Sequence, residues 1–204
     1  MLGWRSIEKK LNIRCIKMKL KTKQDILNLI KKDNWMMNIL KIVKDLNLPD
    51  WWIGAGFVRN KVFDYLHEYK KRTKLNDTDI IYFDSKDLSE KTEENLQRKL
   101  KKKYSKVKWS VTNQARMWYW KNESGKPYKC AEDGLARFNE TATCIGVKLD
   151  ENKLVFTAPQ GIRDLINLTI KLNPLSINHK EVYIKRLKTK KWKEKWPKLK
   201  IVST

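Results

Sequence analysis

The N-terminal third of the chain carries the spacing of apolar residues that is typical of amphipathic helices. Apolar positions recur three and four residues apart in "TKQDILNLIKKD", where Thr22 followed by Asp25 is typical of a helix N-cap. The same spacing in "WMMNILKIVKDLNL" predicts a second helix, which Pro49 and Asp50 end. We expect both helices to pack against a core.

Short apolar runs predict strands between the helices that follow. We interpret "WWIGAG" as a strand that ends at glycines and "FVRNKVFDYLHEY" as the helix after it. The stretch "TDIIYFD" is a second predicted strand, followed by an amphipathic helix in "LSEKTEENLQRKLKKKY". Alternation in "VKWSVTNQARMWYW" predicts a third strand, and "CAEDGLARF" predicts a short helix.

The remaining pattern predicts one hairpin and two helices. "TATCIGVKL" and "KLVFTAP" are predicted as a hairpin joined by the polar turn "DENK", and "GIRDLINLTIK" as a helix. The tail from "KEVYIKRL" onward is predicted as a basic helix that ends before Pro197. The chain is therefore predicted to be a single α+β domain over residues 22–204, preceded by a basic, poorly ordered leader over residues 1–21.

Composition and charge add predictions about partners. The 204 residues are 41% hydrophobic, enough for a buried core, and the formal net charge is +23. Such a charge favours a polyanionic partner, although lysine-rich solvated surfaces give the same total. Three cysteines without short-range spacing argue against a disulfide framework or a zinc site. No apolar run reaches the ~20 residues that span a bilayer, so we expect a cytoplasmic protein without a membrane partner.

Two carboxylates stand at the start of the second predicted strand. Asp77 and Asp79 are two positions apart, and since strand side chains alternate between faces, both emerge on one side, about 6–7 Å apart. Such a pair can hold Mg²⁺ or Mn²⁺ and leave coordination positions for phosphate oxygens. Asp-x-Asp alone is a weak signal, because solvated loop acids often have this spacing.

Glycines precede the helix that follows the first predicted strand. Gly54 and Gly56 allow a ligand to approach the backbone closely, and the helix N-terminus offers N–H groups to phosphate oxygens. Arg59, in the first turn, can pair with a phosphate or with an acid. The dinucleotide-binding fingerprint also begins Gly-x-Gly, but Arg59 replaces its third glycine and only Asp84 is placed as its ribose-binding acid. Because only the start of the fingerprint is present, an NAD(P)-binding enzyme is the less favoured alternative.

Three segments, in order, resemble the DNA polymerase β-like nucleotidyltransferase superfamily, in the version found in CCA-adding enzymes and bacterial poly(A) polymerases. "GAGFVRN" with "DTD" is similar to the Gly-Gly-x-Val-Arg-Asp and Asp-x-Asp signature of that superfamily. "EDGLARFNETATCIGVKL" and "LVFTAPQGIRDLIN" are similar to its Glu-Asp-Leu-x-Arg-Arg-Asp-Phe-Thr and Asp-Pro-x-Gly-Gly-x-x-Asp-Leu segments. Agreement of three ordered motifs is more specific than any one of them.

From about Ile26 to Leu199 the chain also resembles a family of bacterial single-domain nucleotidyltransferases. The resemblance runs through "LPDWWIGAGFVRNKVFDYLH", "NDTDIIYFD", "NQARMW" and "ETATCIGVKL". It implies a polymerase-β-like fold, with a mixed sheet flanked by helices. It also implies magnesium-dependent transfer of a nucleoside monophosphate from a nucleoside triphosphate to an acceptor, which is RNA, a protein or a small molecule.

The resemblance also implies which residues form the site. Asp77 and Asp79 would be the catalytic metal ligands. The nucleotide would be bound by a larger set: Gly54, Gly56, Arg59, Asn60, Arg116, Asp133, Arg137 and Thr141.

Three departures from the superfamily pattern weaken this interpretation. Ala55 stands at the first glycine of the usual pair and Asn60 replaces an acid. The strand expected to supply a third acid offers only Asn113 and Gln114. Because amides are weaker metal ligands than carboxylates, a non-catalytic RNA-binding module on the same fold is the main alternative.

The basic tail has two interpretations. Five lysines, at positions 188, 190, 191, 193 and 195, interleave with Trp192 and Trp196. This pattern suits contact with a phosphate backbone. It suits equally well a solvated amphipathic helix with one tryptophan packed on the domain.

Overall fold

A computed structural model describes residues 19–118 and 126–203 of the chain. Helices α1 to α8 span, in chain order, Lys23–Lys31, Asn34–Lys44, Gly56–Leu66, Glu90–Lys103, Ala131–Leu135, Arg163–Ile166, Lys180–Lys190 and Trp192–Lys195. Strands β1 to β7 span Trp52–Gly54, Thr78–Tyr82, Trp109–Asn113, Gly146–Asp150, Lys153–Thr157, Thr169–Ile170 and Lys200–Ile201. Short 3₁₀ helices span Gln114–Arg116, Thr141–Thr143 and Pro174–His179.

Most of the predicted leader, residues 1–18, lies outside the described residues. Within its last three positions, Leu20 is buried in the core. The end of that segment is therefore part of the packed domain.

A five-stranded mixed sheet, in the order β3-β2-β1-β4-β5, organises the domain. Strand β1 runs antiparallel to β2 and to β4, and β2 runs parallel to β3. The register places Asp79 beside Ser110 on the neighbouring strand. With helices packed against it, this sheet confirms the expected α+β class and the mixed-sheet architecture of the polymerase-β-like fold.

Alternation along β2 separates two faces of the sheet. Ile80 and Tyr82 enter the main core, whereas Ile81 packs with Leu135 of α5 in a smaller cluster on the other face. Asp79 has the same parity as Ile81, so it lies on the same face of the sheet as this smaller cluster.

The helical patterns read from the first half of the chain are confirmed. Thr22 and Asp25 form a reciprocal capping box at the start of α1. In α2 the side chains at the periodic apolar positions, Met36, Ile39, Leu40 and Val43, are fully buried. The predicted β4–β5 hairpin is also present, with Asp150 paired to Lys153.

Two boundaries differ from the sequence prediction. The predicted helix "GIRDLINLTIK" ends at Ile166, because Leu168 adopts a left-handed conformation with φ of 54° and Thr169–Ile170 pairs with Lys200–Ile201. The third strand ends at Asn113, and the chain continues as a 3₁₀ turn rather than as a strand.

No helix in the described ranges is long and apolar enough to cross a membrane.

Candidate active site

A cavity at the start of β2, which we call the Asp77 cavity, brings together several residues that the motifs single out. Its lining consists of Ala55, Gly56, Arg59, Asn60, Lys74, Leu75, Asn76, Asp77, Asp79, Arg186, Lys190, Trp192, Lys195 and Trp196. Asp77 immediately precedes β2 and Asp79 is its second residue. The two carboxylates thus share one cavity with the glycine–arginine segment.

The N-terminus of α3 forms one wall of the Asp77 cavity. Its N-cap residue is Ala55, and no side chain of the described residues caps this end. The first-turn N–H groups of a helix have no partners within the helix and carry partial positive charge. This wall of the cavity can therefore accept an anion.

Ala55 adopts a backbone conformation that is unfavourable for any residue except glycine. Its φ is 49° and its ψ is −116°, where the side-chain methyl group crowds the backbone. Superfamily members place glycine at this position, as the resemblance above implies. The strained turn is needed to direct the chain from β1 straight into α3.

Arg59 is a buried cation on the same wall. It is 8% exposed, its Nη2 donates to Asn60 Oδ1 at 2.9 Å, and its Nε has no hydrogen-bond partner among the described residues. Burial lowers the pKa of Arg59 to about 10, although Glu140, Asp79 and Asp77 favour the charged form. A buried, incompletely bonded guanidinium that faces a cavity is suited to a phosphate oxygen.

Asp79 is a carboxylate whose ionised form is disfavoured by its surroundings. Burial and then the nearby Asp77 charge raise the pKa of Asp79 to about 6, while Arg59 and a hydrogen bond with Ser110 act in the opposite direction. A cation bound between Asp77 and Asp79 would relieve this repulsion.

Ser110 stands where a third acid was expected. The parallel register aligns it with Asp79, whereas Asn113 lies at the other end of β3 and bonds Asp84 and Asp87 carbonyls at 2.7 and 2.8 Å. Gln114 packs against Gly134. The two amides that sequence reasoning offered as metal ligands therefore do not reach the cavity.

The chemistry of the donor set fits a magnesium ion with few protein ligands. Mg²⁺ is usually held by one or two carboxylates together with substrate phosphates and waters. No group of three or more His, Cys, Asp or Glu side chains suited to a metal occurs in residues 19–118 and 126–203. Asp77 and Asp79, with the Ser110 hydroxyl beside them, form a carboxylate pair of the required type.

The C-terminal helices supply residues that the motif analysis missed. Arg186 of α7 lines the Asp77 cavity and makes a two-point ion pair with the fully buried Glu140, Nε to Oε1 at 2.5 Å and Nη2 to Oε2 at 3.0 Å. Lys190 and Lys195 line the cavity as well. The only sequence signal for them was the basic tail, and this had two interpretations.

A second small pocket continues from Asp79 toward the downstream motif. Ala55, Asp79, Phe138, Asn139, Thr143 and Arg186 line it. Of these, Asn139 lies in the motif segment "EDGLARFNETATCIGVKL" but was not among the predicted nucleotide-binding residues. This pocket shares Ala55, Asp79 and Arg186 with the Asp77 cavity.

Several predicted nucleotide-binding residues lie elsewhere. Gly54 faces Leu135, where an added Cβ would lie 3.0 Å from the leucine Cδ1, so its small size serves packing. The guanidinium of Arg116 lies beyond the far end of β3 and pairs with Glu93 at 2.8 Å and Glu90 at 2.9 Å. The structure therefore does not bring Gly54 or Arg116 into the Asp77 cavity.

The predicted nucleotide-binding residues of the downstream motifs also lie outside the Asp77 cavity. The Thr141 hydroxyl donates to Asp164 Oδ2 at 2.6 Å and is buried, which joins two motifs structurally. Arg137 stacks over Tyr128 at 5.2 Å and bonds the carbonyl of Asp133 at 3.1 Å. Asp133, Arg137 and Thr141 line neither the Asp77 cavity nor the pocket beside it.

A basic groove extends outward from the Asp77 cavity. It has a volume of about 720 Å³ and shares Lys74, Asp77 and Lys190 with that cavity. Arg72, Lys106 and Lys108 also line it. A polyanion could therefore contact the protein next to the carboxylate pair.

Comparison with known proteins agrees with this geometry. A family model described as "Nucleotidyltransferase" matches residues 41–201. One solved structure, whose description states that the NMR structure of the protein reveals a CCA-adding enzyme head domain, is 31% identical with a TM-score of 0.79 and covers 91% of this chain and 98% of that chain. Comparison with curated proteins gives no significant match.

A more distant structure shares the fold. The Thermotoga maritima CCA-adding enzyme complexed with tRNA has a TM-score of 0.53 at 17% identity, and the match covers 88% of this chain but 42% of that chain. The family match spans most of the sequence, and it includes the carboxylate pair and the α3 N-terminus. It also includes the whole C-terminal wall of the cavity, which consists of Arg186, Lys190, Trp192, Lys195 and Trp196. The chain belongs to the nucleotidyltransferase family and has the polymerase-β-like fold of a CCA-adding enzyme head domain.

Proposed function

We propose that the protein transfers a nucleoside monophosphate from a nucleoside triphosphate to an acceptor, in a magnesium-dependent reaction that releases pyrophosphate. One observation carries the proposal: Asp77 and Asp79 share a cavity with the uncapped N-terminus of α3 and the buried Arg59. Anionic and cationic groups around one cavity fit a metal-bound polyphosphate. Since nucleoside triphosphates are cytoplasmic metabolites, the same proposal places the enzyme in the cytoplasm.

Asp77 and Asp79 are the residues that would hold the metal. Bound there, Mg²⁺ would supply charge neutralisation for the triphosphate and activation of the attacking oxygen. The acceptor oxygen forms a bond to the α-phosphorus, and the bond from that phosphorus to the bridging oxygen breaks. Pyrophosphate leaves with that electron pair, and the acceptor proton passes to solvent.

The protein's contribution to this reaction is position and charge. The α3 N–H groups and Arg59 bind phosphate oxygens, while Ser110 orients the Asp79 carboxylate through its hydrogen bond. The pocket that Phe138, Asn139 and Thr143 line adjoins Asp79 and offers polar groups for the ribose or the acceptor. Electrostatic attraction is stronger where water is excluded. Because Arg59 is buried, it attracts a phosphate oxygen more strongly than an exposed arginine would.

An RNA acceptor is supported by the basic groove. Arg72, Lys74, Lys106, Lys108 and Lys190 line it, and it opens directly beside Asp77. A backbone of phosphates could follow these cations to the carboxylates. The Thermotoga maritima CCA-adding enzyme, whose structure is a complex with tRNA, supports the same acceptor class by analogy.

The test is metal-dependent incorporation of labelled nucleotide in Asp77→Asn and Asp79→Asn. Each variant is expected to fold and to lose activity by at least about a hundredfold, because it removes a ligand from the charge-neutralising centre. The exposed Asp150→Asn, at the end of β4, is the matched control and should retain activity. Undiminished incorporation by either site variant would refute the metal assignment.

Thermal-shift measurements separate the alternatives. The proposed enzyme is stabilised by a nucleoside triphosphate only with magnesium. A non-catalytic RNA-binding module instead binds RNA with a steep salt dependence and is indifferent to triphosphates. An NAD(P)-binding enzyme is stabilised by the dinucleotide without any metal.

A further inference from the structure

The C-terminal wall of the Asp77 cavity is anchored by two buried tryptophans. Trp192 and Trp196 are 2% and 1% exposed, and Trp196 Nε1 donates to Asp64 Oδ1 at 2.7 Å. Between α7 and α8, Lys191 adopts a left-handed conformation with φ of 50°, which ends one helix and starts the other. The turn directs Trp192 into the core and leaves Lys190 and Lys195 on the cavity.

Hydrogen bonds to the end of α3 hold this wall in place. The Tyr69 hydroxyl donates to the Lys195 carbonyl at 2.8 Å, and the Lys198 N–H donates to His67 Nε2 at 3.0 Å. The wall is therefore fixed to α3, the helix whose N-terminus also lines the cavity. Its cations are positioned relative to Arg59 by the folded core rather than by a free tail.

The lysines of this wall are crowded with like charge. Neither Lys190 nor Lys195 forms a salt bridge with a carboxylate of residues 19–118 or 126–203. Burial, followed by Lys190 and Arg59, lowers the pKa of Lys195. In total, five cationic side chains line the cavity against two carboxylates. Such an excess fits a ligand with several negative charges.

We propose that Lys190 and Lys195 bind the terminal phosphates of the nucleoside triphosphate, so that the C-terminal wall selects a triphosphate over a monophosphate. The inference rests on the proposed function and deepens it. Lysine is a compact charge with three donors on a flexible stem, suited to the terminal oxygens of a polyphosphate. The α3 N-terminus and Arg59 line the same cavity, so the phosphate chain is contacted by α3 as well as by the C-terminal helices.

The experiment compares matched lysine-to-methionine variants. Lys190→Met, Lys195→Met and the double variant remove the cavity cations and keep the aliphatic stems. Lys188→Met and Lys193→Met are the controls, because these lysines lie on the same two helices, are exposed and do not line the cavity. Unfolding midpoints are measured for all variants to verify folding.

Binding is measured by titration calorimetry with inorganic tripolyphosphate, ATP, ADP and AMP, each with magnesium. Each cavity variant is expected to weaken tripolyphosphate and ATP binding about tenfold, and the double variant about a hundredfold, since charge-assisted hydrogen bonds are lost. ADP binding should weaken less and AMP binding should be unchanged. The control variants should stay within about twofold of the wild type.

The outcomes distinguish this inference from the proposed function. If the wild type binds ATP and transfers nucleotide while the double variant binds ATP and tripolyphosphate equally well, the inference is overturned and the function stands. If tripolyphosphate binding depends on the two lysines but no nucleotide is transferred to any acceptor, the function fails and the phosphate subsite stands. Loss of AMP binding in proportion to ATP binding would also contradict triphosphate selection.

Discussion

The ion pair of Glu140 with Arg186 gives the most demanding test of how this site is held together. Glu140 is fully buried and its carboxylate accepts from Arg186 at 2.5 and 3.0 Å and from the Thr143 hydroxyl at 3.1 Å. Arg186 is 30% exposed. We therefore expect the two partners to respond unequally to removal.

Arg186→Met is expected to reduce the free energy of unfolding by about 3–5 kcal/mol, because the Glu140 charge stays buried without its cation. Glu140→Gln should cost only about 1–2 kcal/mol, since Arg186 can reach water and the amide oxygen still accepts a hydrogen bond. The double variant should cost less than the sum, with a coupling energy of about 2 kcal/mol, since neither charge remains.

Urea unfolding, followed by tryptophan fluorescence, measures all three values at one pH. For a chain of this size the Arg186→Met loss corresponds to a fall in Tm of roughly 6–20 °C. Arg163→Met is the control, because Arg163 is an exposed arginine, and it should change stability by less than about 0.5 kcal/mol. A loss below about 1 kcal/mol in Arg186→Met, or strict additivity in the double variant, would refute the reasoning.

Two further predictions concern the strained turn and the carboxylate pair. Ala55→Gly is expected to raise the free energy of unfolding by about 1 kcal/mol, because relief of the φ of 49° exceeds the entropy cost of glycine; an unchanged or lower urea midpoint would contradict this. The second prediction applies to magnesium-free buffer. Burial raises the pKa of Asp79 from 3.8 to about 6, so the Asp79 carboxyl group binds a proton more tightly in the native chain than in the unfolded chain. The contribution of Asp79 to stability therefore falls as pH rises between about 4 and 6. The stability advantage of Asp79→Asn over wild type should grow across that window, and a constant difference would exclude the effect.

Local pattern was sufficient to predict much of the framework. The capping box at Thr22, the buried face of α2 and the β4–β5 hairpin all depend on residues within a few positions of each other. Periodicity states which side of a helix or strand is apolar, and a core requires that side to be covered. The order of the three motifs then indicated the family and the sheet that such enzymes share.

The pattern failed where a segment's structure depends on a distant partner. Thr169–Ile170 continues a helical spacing, yet it is a strand because Lys200–Ile201 pairs with it. Arg116 was predicted to bind the nucleotide, but it forms an ion pair with Glu93 of α4 at the opposite end of the sheet. A side chain's type specifies what it can bind, and only the packed fold specifies what lies within its reach.

By itself, the sequence determined the family, the sheet and the carboxylate pair at the start of β2, because these follow from contiguous motifs and short-range periodicity. Tertiary structure alone decided the second half of the cavity. Lys190 and Lys195 have the same chemistry as the many other lysines of the chain, and nothing in their spacing distinguishes them. They line the same cavity as Asp77 because Trp192 and Trp196 are buried, with Trp196 packed against Phe63 of α3. The burial of two large aromatic side chains outweighs the repulsion between the cations that it brings together.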